Sequence, residues 1–172
     1  EIQKLISLNK KSQAKDQCEK LIKKFPENSF VLNMYGLILQ SVGRINESIS
    51  YFQKAISAQS DNYGAMNNLA NSYRNSYEFK ISEDIYKNVI KNDPKNIKAL
   101  NNYANLKREL NNYNDAKTLL LKALTIDKSN VTILTNLVIC CQGLGETIEA
   151  KKFALKILEI EPLNISAHKL LS

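Results

Sequence analysis

Tryptophan is absent from this chain of 172 residues, and glycine, proline and cysteine number only 5, 3 and 3. So few glycines and prolines cannot punctuate a many-stranded sandwich, which needs a turn about every ten residues. No apolar run approaches the roughly 18 residues that a membrane-spanning helix requires, so no membrane insertion is expected. The opening residues lack the basic, apolar and small-residue succession of a secretory signal, and none is expected. Two of the three cysteines are adjacent (Cys140 and Cys141), which makes a poor disulfide framework. A cytoplasmic or otherwise intracellular, reducing setting is therefore the expectation. The single histidine, His168, has no metal-ligand spacing to Cys18, Cys140 or Cys141. No glycine-rich phosphate loop is present either. Carboxylates such as Glu47, Asp115 and Glu149 are scattered, with no pair singled out for acid and base work. The sequence thus predicts no catalysis, no cofactor and no metal in this stretch.

What is present is apolar content and asparagine. Apolar residues make up 44%, enough for a packed core, and asparagine contributes 21 residues. Lysine and arginine outnumber acids 24 to 17, for a formal charge of +7. The lysines are dispersed, as in KNVIKNDPKNIK at 87–98, and the tyrosines are not interleaved with them as stacking platforms. Nucleic acid is therefore not the expected partner.

The chain superposes on itself at a shift of 34 residues. Full windows run 29–62, 63–96, 97–130 and 131–164, with partial ones at 1–28 and 165–172, together one array over 1–172. Position 4 holds Leu32, Met66, Leu100 and Leu134; position 8 holds Gly36, Ala70, Ala104 and Val138. Position 20 holds Ser48, Ser82, Ala116 and Ala150, and position 24 holds Phe52, Tyr86, Leu120 and Ala154. Apolar residues recur at steps of three and four, so each window reads as two helices. Gly43-Arg44, Asn75 to Tyr77, Asn111-Asn112 and Gly143 to Gly145 supply the turns between them. Asn62, Asn96, Asn130 and Asn164 close the windows, where each can cap the next first helix. Small residues at positions 8 and 20 let the two backbones of a unit approach. A unit of this size cannot bury its apolar face alone, so neighbours must stack.

This pattern resembles the tetratricopeptide repeat over nearly the whole chain. The resemblance implies an all-α, right-handed α–α superhelix whose first helices line a concave surface. It implies a scaffold that binds a protein or extended peptide there. The family's tryptophan at position 4 is replaced by aliphatic residues. The partial ends give the chain the look of a window cut from a longer array.

Positions 2, 5, 6, 9 and 12 line the inner face in this family. Here they place Asn33, Asn67, Asn68, Asn71, Arg74, Lys98, Asn101, Asn102, Asn105, Arg108 and Asn136 on it. Position 6 gives a one-per-repeat column, Asn68, Asn102 and Asn136, which resembles the asparagine ladder in the repeat domain of O-linked N-acetylglucosamine transferases. Such a ladder implies that side-chain amides, each both donor and acceptor, grip a polypeptide backbone. The alternative is a solvated face that is rich in asparagine through composition. Lys98, Arg74 and Arg108 fit a carboxylate-capturing mode only in part, since positions 5 and 6 carry no base. Two further readings stay open: a substrate-presenting region of a larger enzyme such as an O-linked glycosyltransferase, and self-association through solenoid ends. The latter expects exposed apolar surface around Ile2 and Leu5 and around Leu170 and Leu171.

Overall fold

The computed structural model describes residues 4–5 and 10–171. The described residues are helical apart from short connections, and they form two compact units, Glu1–Val89 and Ile90–Ser172. Ile2, expected at an exposed apolar end, lies outside the described residues.

The first unit holds α1 (Lys11–Lys24), α2 (Ser29–Ser41), α3 (Ile45–Ala58), α4 (Tyr63–Asn75) and most of α5 (Phe79–Asn92). The second holds α6 (Ile97–Glu109), α7 (Tyr113–Ile126), α8 (Val131–Gly143), α9 (Thr147–Ile160) and α10 (Ile165–Leu171). Each helix from α1 to α4 packs on its successor, and so does each from α6 to α9. First helices also meet across a step of two, α2 with α4 and α6 with α8.

Sequence chemistry sets both ends of the first helices. Asn28, Asn62, Asn96, Asn130 and Asn164 each accept a bond from the backbone N–H three residues on, at Val31, Ala65, Ala99, Ile133 and Ala167. One otherwise orphaned N–H per helix is satisfied in this way. Five asparagines of the compositional excess are thus helix caps. At the other end the chain turns through the same motif four times. Gly43 and Arg44 donate to Gln40 and Leu39, Tyr77 and Glu78 to Arg74 and Tyr73, Asn111 and Asn112 to Arg108 and Lys107, and Gly145 and Glu146 to Gln142 and Cys141. These are paired carbonyl caps around one left-handed residue. The left-handed residues are Gly43, Tyr77, Asn111 and Gly145, at φ of 81°, 62°, 57° and 74°. Glycine adopts this conformation freely and asparagine tolerates it, whereas tyrosine adopts it at a cost of about 1–2 kcal/mol.

In the first unit, buried Leu32, Met34, Tyr35, Ile38 and Leu39 of α2 pack with Ala14 and Cys18 of α1 and with Ala55 of α3 and Ala65 of α4. A Cβ on Gly36 would lie 2.5 Å from the Phe52 ring, so the glycine is required by a buried phenylalanine. Ser82 Oγ donates to the Ala70 carbonyl at 2.8 Å, which joins positions 20 and 8 as the small residues there predict. In the second unit one continuous core runs from Leu100 and Ala104 through Leu120, Leu134, Leu137 and Cys141 to Phe153, Ile157 and Ala167. Full burial of each larger member contributes about 1.5–3 kcal/mol. All three cysteines are buried and free.

The expected exposed apolar ends need correction. Leu5, Leu170 and Leu171 are partly buried against the cores, because each falls on the inward stripe of its helix. Among the described residues the aliphatic side chains most open to solvent are Leu163 (88% exposed), Ile148 (76%) and Ile165 (71%).

Candidate functional site

The face of interest is built by the first helices, where each inner-face position recurs at helical spacing. In the first unit most of it is turned to internal use. Asn68 Nδ2 donates to Asn33 Oδ1 at 2.9 Å, and Asn33, Asn67 and Asn68 are all buried. Asn71 Oδ1 accepts from the Tyr86 hydroxyl at 2.6 Å, which fixes a fully buried ring of α5. Arg74 is half-buried on the same helix.

The second unit repeats the same rung but leaves it open. Asn136 Nδ2 on α8 donates to Asn101 Oδ1 on α6 at 2.8 Å. Arg108 Nη1 donates to Asn136 Oδ1 at 3.3 Å. Both asparagines and the arginine are half-buried, and Lys98 is exposed. The relay gives the amides a defined polarity: Asn136 spends its oxygen on Arg108 and a hydrogen on Asn101, so Asn101 keeps its own Nδ2 hydrogens as donors. A shallow cavity of about 340 Å³ lies beside Asn101, lined also by Ile97, Lys98, Asn130, Thr132 and Ile133. Asn102 and Asn105 are half-buried on α6. Asn102 Nδ2 is shielded and has no hydrogen-bond partner among the described residues.

Within each unit, then, the rung joins position 6 of one first helix to position 5 of the preceding one, a separation of 35 residues. The single column at position 6 does not describe it. Sequence reading also missed Asn130 and Thr132 as neighbours of the rung, although a cap asparagine and position 2 of the next window are the signals that place them there.

Electrostatics tie α7 to the start of α9. Lys117 Nζ lies 2.6 Å from Glu146 Oε2 and 3.8 Å from Glu149 Oε2. The bond to Glu146 pushes the Lys117 ammonium up, and the same bond holds the Glu146 carboxyl below its ordinary value. Burial pushes the Cys141 thiol up to about 11, reinforced by its bond with Glu146. Burial also raises Cys140, which Arg108 opposes. His168 is exposed, with Nε2 2.8 Å from the Pro162 carbonyl. Among the described residues no group of three or more histidine, cysteine or acidic side chains could hold a metal ion. No described helix is long and apolar enough to cross a membrane.

Two family models match, each over more than half of the chain: "Psidin, N-terminal TPR repeats region" at residues 2–117, and "Coatomer epsilon subunit" at residues 79–170. The chain belongs to the tetratricopeptide-repeat family. Among solved structures, a thermophilic tetratricopeptide-repeat protein of Thermus thermophilus superposes with a TM-score of 0.82 at 16% identity, covering 98% of this chain and 92% of that one. PilF of Pseudomonas aeruginosa gives a TM-score of 0.85 at 13% identity, over 98% of this chain and 77% of its own. YrrB, described as a tetratricopeptide-repeat protein with an unusual peptide-binding site, gives 0.68 at 17% identity, over 87% and 77%. At these identities the likeness is one of fold. No curated protein matches the sequence. The all-α tetratricopeptide fold expected from the 34-residue period is what the helix pairs show.

Proposed function

We propose that this chain is a protein-binding scaffold whose first-helix face in the unit Ile90–Ser172 holds an extended polypeptide by its main chain. The observation that carries the proposal is the relay from Arg108 through Asn136 to Asn101, which aligns amide donors beside an open cavity. Extended backbone offers a carbonyl acceptor at every residue and alternates its faces, so aligned donors suit it without regard to side-chain identity. The peptide-binding site named for YrrB supports a peptide as the class of partner for this fold. In the first unit the equivalent asparagines are buried and bonded to each other, so the open rung of the second unit is the better docking point.

The test is fluorescence anisotropy with a short labelled serine–alanine peptide, comparing the parent with Asn101→Ala/Asn136→Ala. Removal of both partners of the Asn136–Asn101 bond leaves neither amide unpaired, and the half-exposed Arg108 turns to water in place of the Asn136 oxygen, whereas each lost bond to a ligand costs about 0.5–1.5 kcal/mol. The double variant is expected to bind at least several-fold more weakly at nearly unchanged melting temperature. Unchanged binding defeats the proposal.

A second reading, self-association, rests on the exposure of Leu163 and Ile165. It expects a light-scattering mass that rises with concentration and falls back to monomer in Leu163→Glu/Ile165→Glu; a constant monomer ends it. A region presenting substrate to a larger enzyme would use the same open rung, and a catalytic domain elsewhere in the parent reading frame is what that reading requires.

A further inference from the structure

The groove beside α3 differs in its residues from the equivalent places along the chain. It is an open cavity of about 580 Å³, walled on one side by Pro26 and Glu27 of the α1–α2 connection and on the other by a strip of α3. Buried Leu32 forms its floor. Three small residues of α3 leave the space: Ser50, Ser57 and Ala58, at positions 22, 29 and 30 of the repeat. One window on, the same positions hold the bulkier Asp84, Lys91 and Asn92. In the two windows after that, position 30 holds Ile126 and Ile160.

Both walls are fixed. Ser29 Oγ donates to the Ala55 carbonyl at 2.7 Å in a buried bond, and Asn62 Nδ2 donates to Ser29 Oγ at 2.7 Å. These bonds tie the start of α2 to the end of α3, where Ser57 and Ala58 stand. The cavity therefore exists before anything enters it, as small-molecule sites generally do.

Its charge is mixed. Glu27 stands on one wall and Lys54 on the other, and among the described residues they form no ion pair with each other. The Lys54 ammonium instead lies 4.8 Å from the Tyr51 ring centroid. The equivalent pairs further along are Asp61 with Asn88, Lys95 with Lys122 and Ser129 with Lys156, so the combination of an acid and a base belongs to this groove alone among the four. An anion by itself would meet Glu27, and a cation by itself would meet Lys54. A ligand with both charges suits both walls.

We propose that this cavity binds a free amino acid with a large apolar side chain. The side chain lies on Leu32 between Pro26 and Ala58, the ammonium faces Glu27, and the carboxylate faces Lys54 and the Ser57 hydroxyl. At about 580 Å³ the cavity has room for a bicyclic ring together with the two charged groups. It lies wholly within the unit Glu1–Val89 and uses no residue of the Asn101–Asn136 rung, so it stands independently of the peptide-binding reading.

The absence of tryptophan from the chain makes the test direct, because an indole ligand excited beyond the tyrosine band fluoresces without background from the protein. The anisotropy of that emission is followed as the full chain is titrated into L-tryptophan, tryptamine, indole-3-propionate or N-acetyltryptophanamide. L-tryptophan is expected to bind tightest. Each analogue that lacks one charge is expected to bind about three- to five-fold more weakly, a modest factor because both charged side chains are exposed. Lys54→Ala is expected to erase the advantage over tryptamine, and Glu27→Gln the advantage over indole-3-propionate. Ala58→Ile copies the isoleucine of the equivalent positions 126 and 160 and fills the cavity, so it is expected to weaken L-tryptophan about ten-fold at an unchanged melting temperature. If N-acetyltryptophanamide binds as well as L-tryptophan, the charges are not read, the cavity takes a side chain presented by a protein, and the proposal is overturned. Binding of L-tryptophan that Ala58→Ile leaves intact overturns it too, as does the failure of L-tryptophan to bind.

Discussion

Position 15 of the repeat offers a test in which backbone conformation is separated from packing. Gly43, Tyr77, Asn111 and Gly145 occupy it, all left-handed and all at the centre of the same double carbonyl cap. A Cβ added at Gly145 meets no atom within 4 Å, so Gly145→Ala changes neither packing nor hydrogen bonding. Its cost is conformational. The left-handed state costs a Cβ-bearing residue about 1–2 kcal/mol, and the lost freedom of glycine in the unfolded chain returns about 0.4–1 kcal/mol. The net destabilisation is about 1 kcal/mol, a fall of roughly 2–4 °C in melting temperature for a chain of this size. Tyr77→Asn runs the other way. The tyrosine is 81% exposed, so little apolar burial is lost, and its ring makes an edge-on approach to Phe79 at 5.9 Å. That contact is worth about 0.5 kcal/mol. Asparagine accepts the left-handed state, as it does at 111, so the exchange is expected to stabilise by about 0.5 kcal/mol. Circular dichroism melts of the two variants decide the matter. A parent-like melt for Gly145→Ala, or a lower one for Tyr77→Asn, refutes the backbone argument at this position.

Three further outcomes follow from other contacts. Asn96→Ala removes the cap of α6 and is expected to cost about 1 kcal/mol, read as a lower urea midpoint at unchanged slope. The Tyr35 hydroxyl bond, aided by Lys15 and opposed by partial desolvation, holds the Glu19 carboxyl below its ordinary 4.5. A lowered folded value means stability present above 4.5 and lost as pH falls through the folded value, so melts of the parent should decline more steeply below that pH than those of Tyr35→Phe. Burial lifts the thiols of Cys18 and Cys141 to about 11, so at neutral pH a thiol reagent should label them only at the rate of unfolding, and labelling of the native protein would contradict their buried placement.

The fold was legible because its signals repeat. A 34-residue period puts Leu100 and Leu134, Ala70 and Ala104, and the cap asparagines in equivalent places, and each recurrence strengthens the others. The left-handed turn was visible as polar or glycine-bearing sequence, yet Tyr77 shows why its conformation was not: only the register with Gly43 and Gly145 reveals what the backbone demands there. Side-chain pairing was less legible still. Position 6 read as a column, whereas α4 meets α2, and α8 meets α6, with a one-residue stagger, so that Asn68 finds Asn33 and Asn136 finds Asn101. Asn71 read as an inner-face amide, but the hydroxyl of Tyr86, fifteen positions away, takes its oxygen. The orientation of Asn136 depends on Arg108, 28 residues distant, and no local pattern encodes that.

The two settings of asparagine in this chain age differently. Asparagine hydrolyses slowly to aspartate, and heat hastens it. At Asn28 the product is an equally good cap, and its negative charge suits the positive end of the helix. At Asn96, Asn130 and Asn164 the amide also donates to Asp93, Asp127 and Glu161, so hydrolysis there sets one carboxylate against another. At Asn136 the same hydrolysis strips away the hydrogen that bonds Asn101 and sets a carboxylate among the bases of the first helices. Deamidation is therefore mild at Asn28 and consequential both at the rung and at the caps that face an acid. Old preparations of the protein would melt lower through those caps while their first-helix face changes its chemistry.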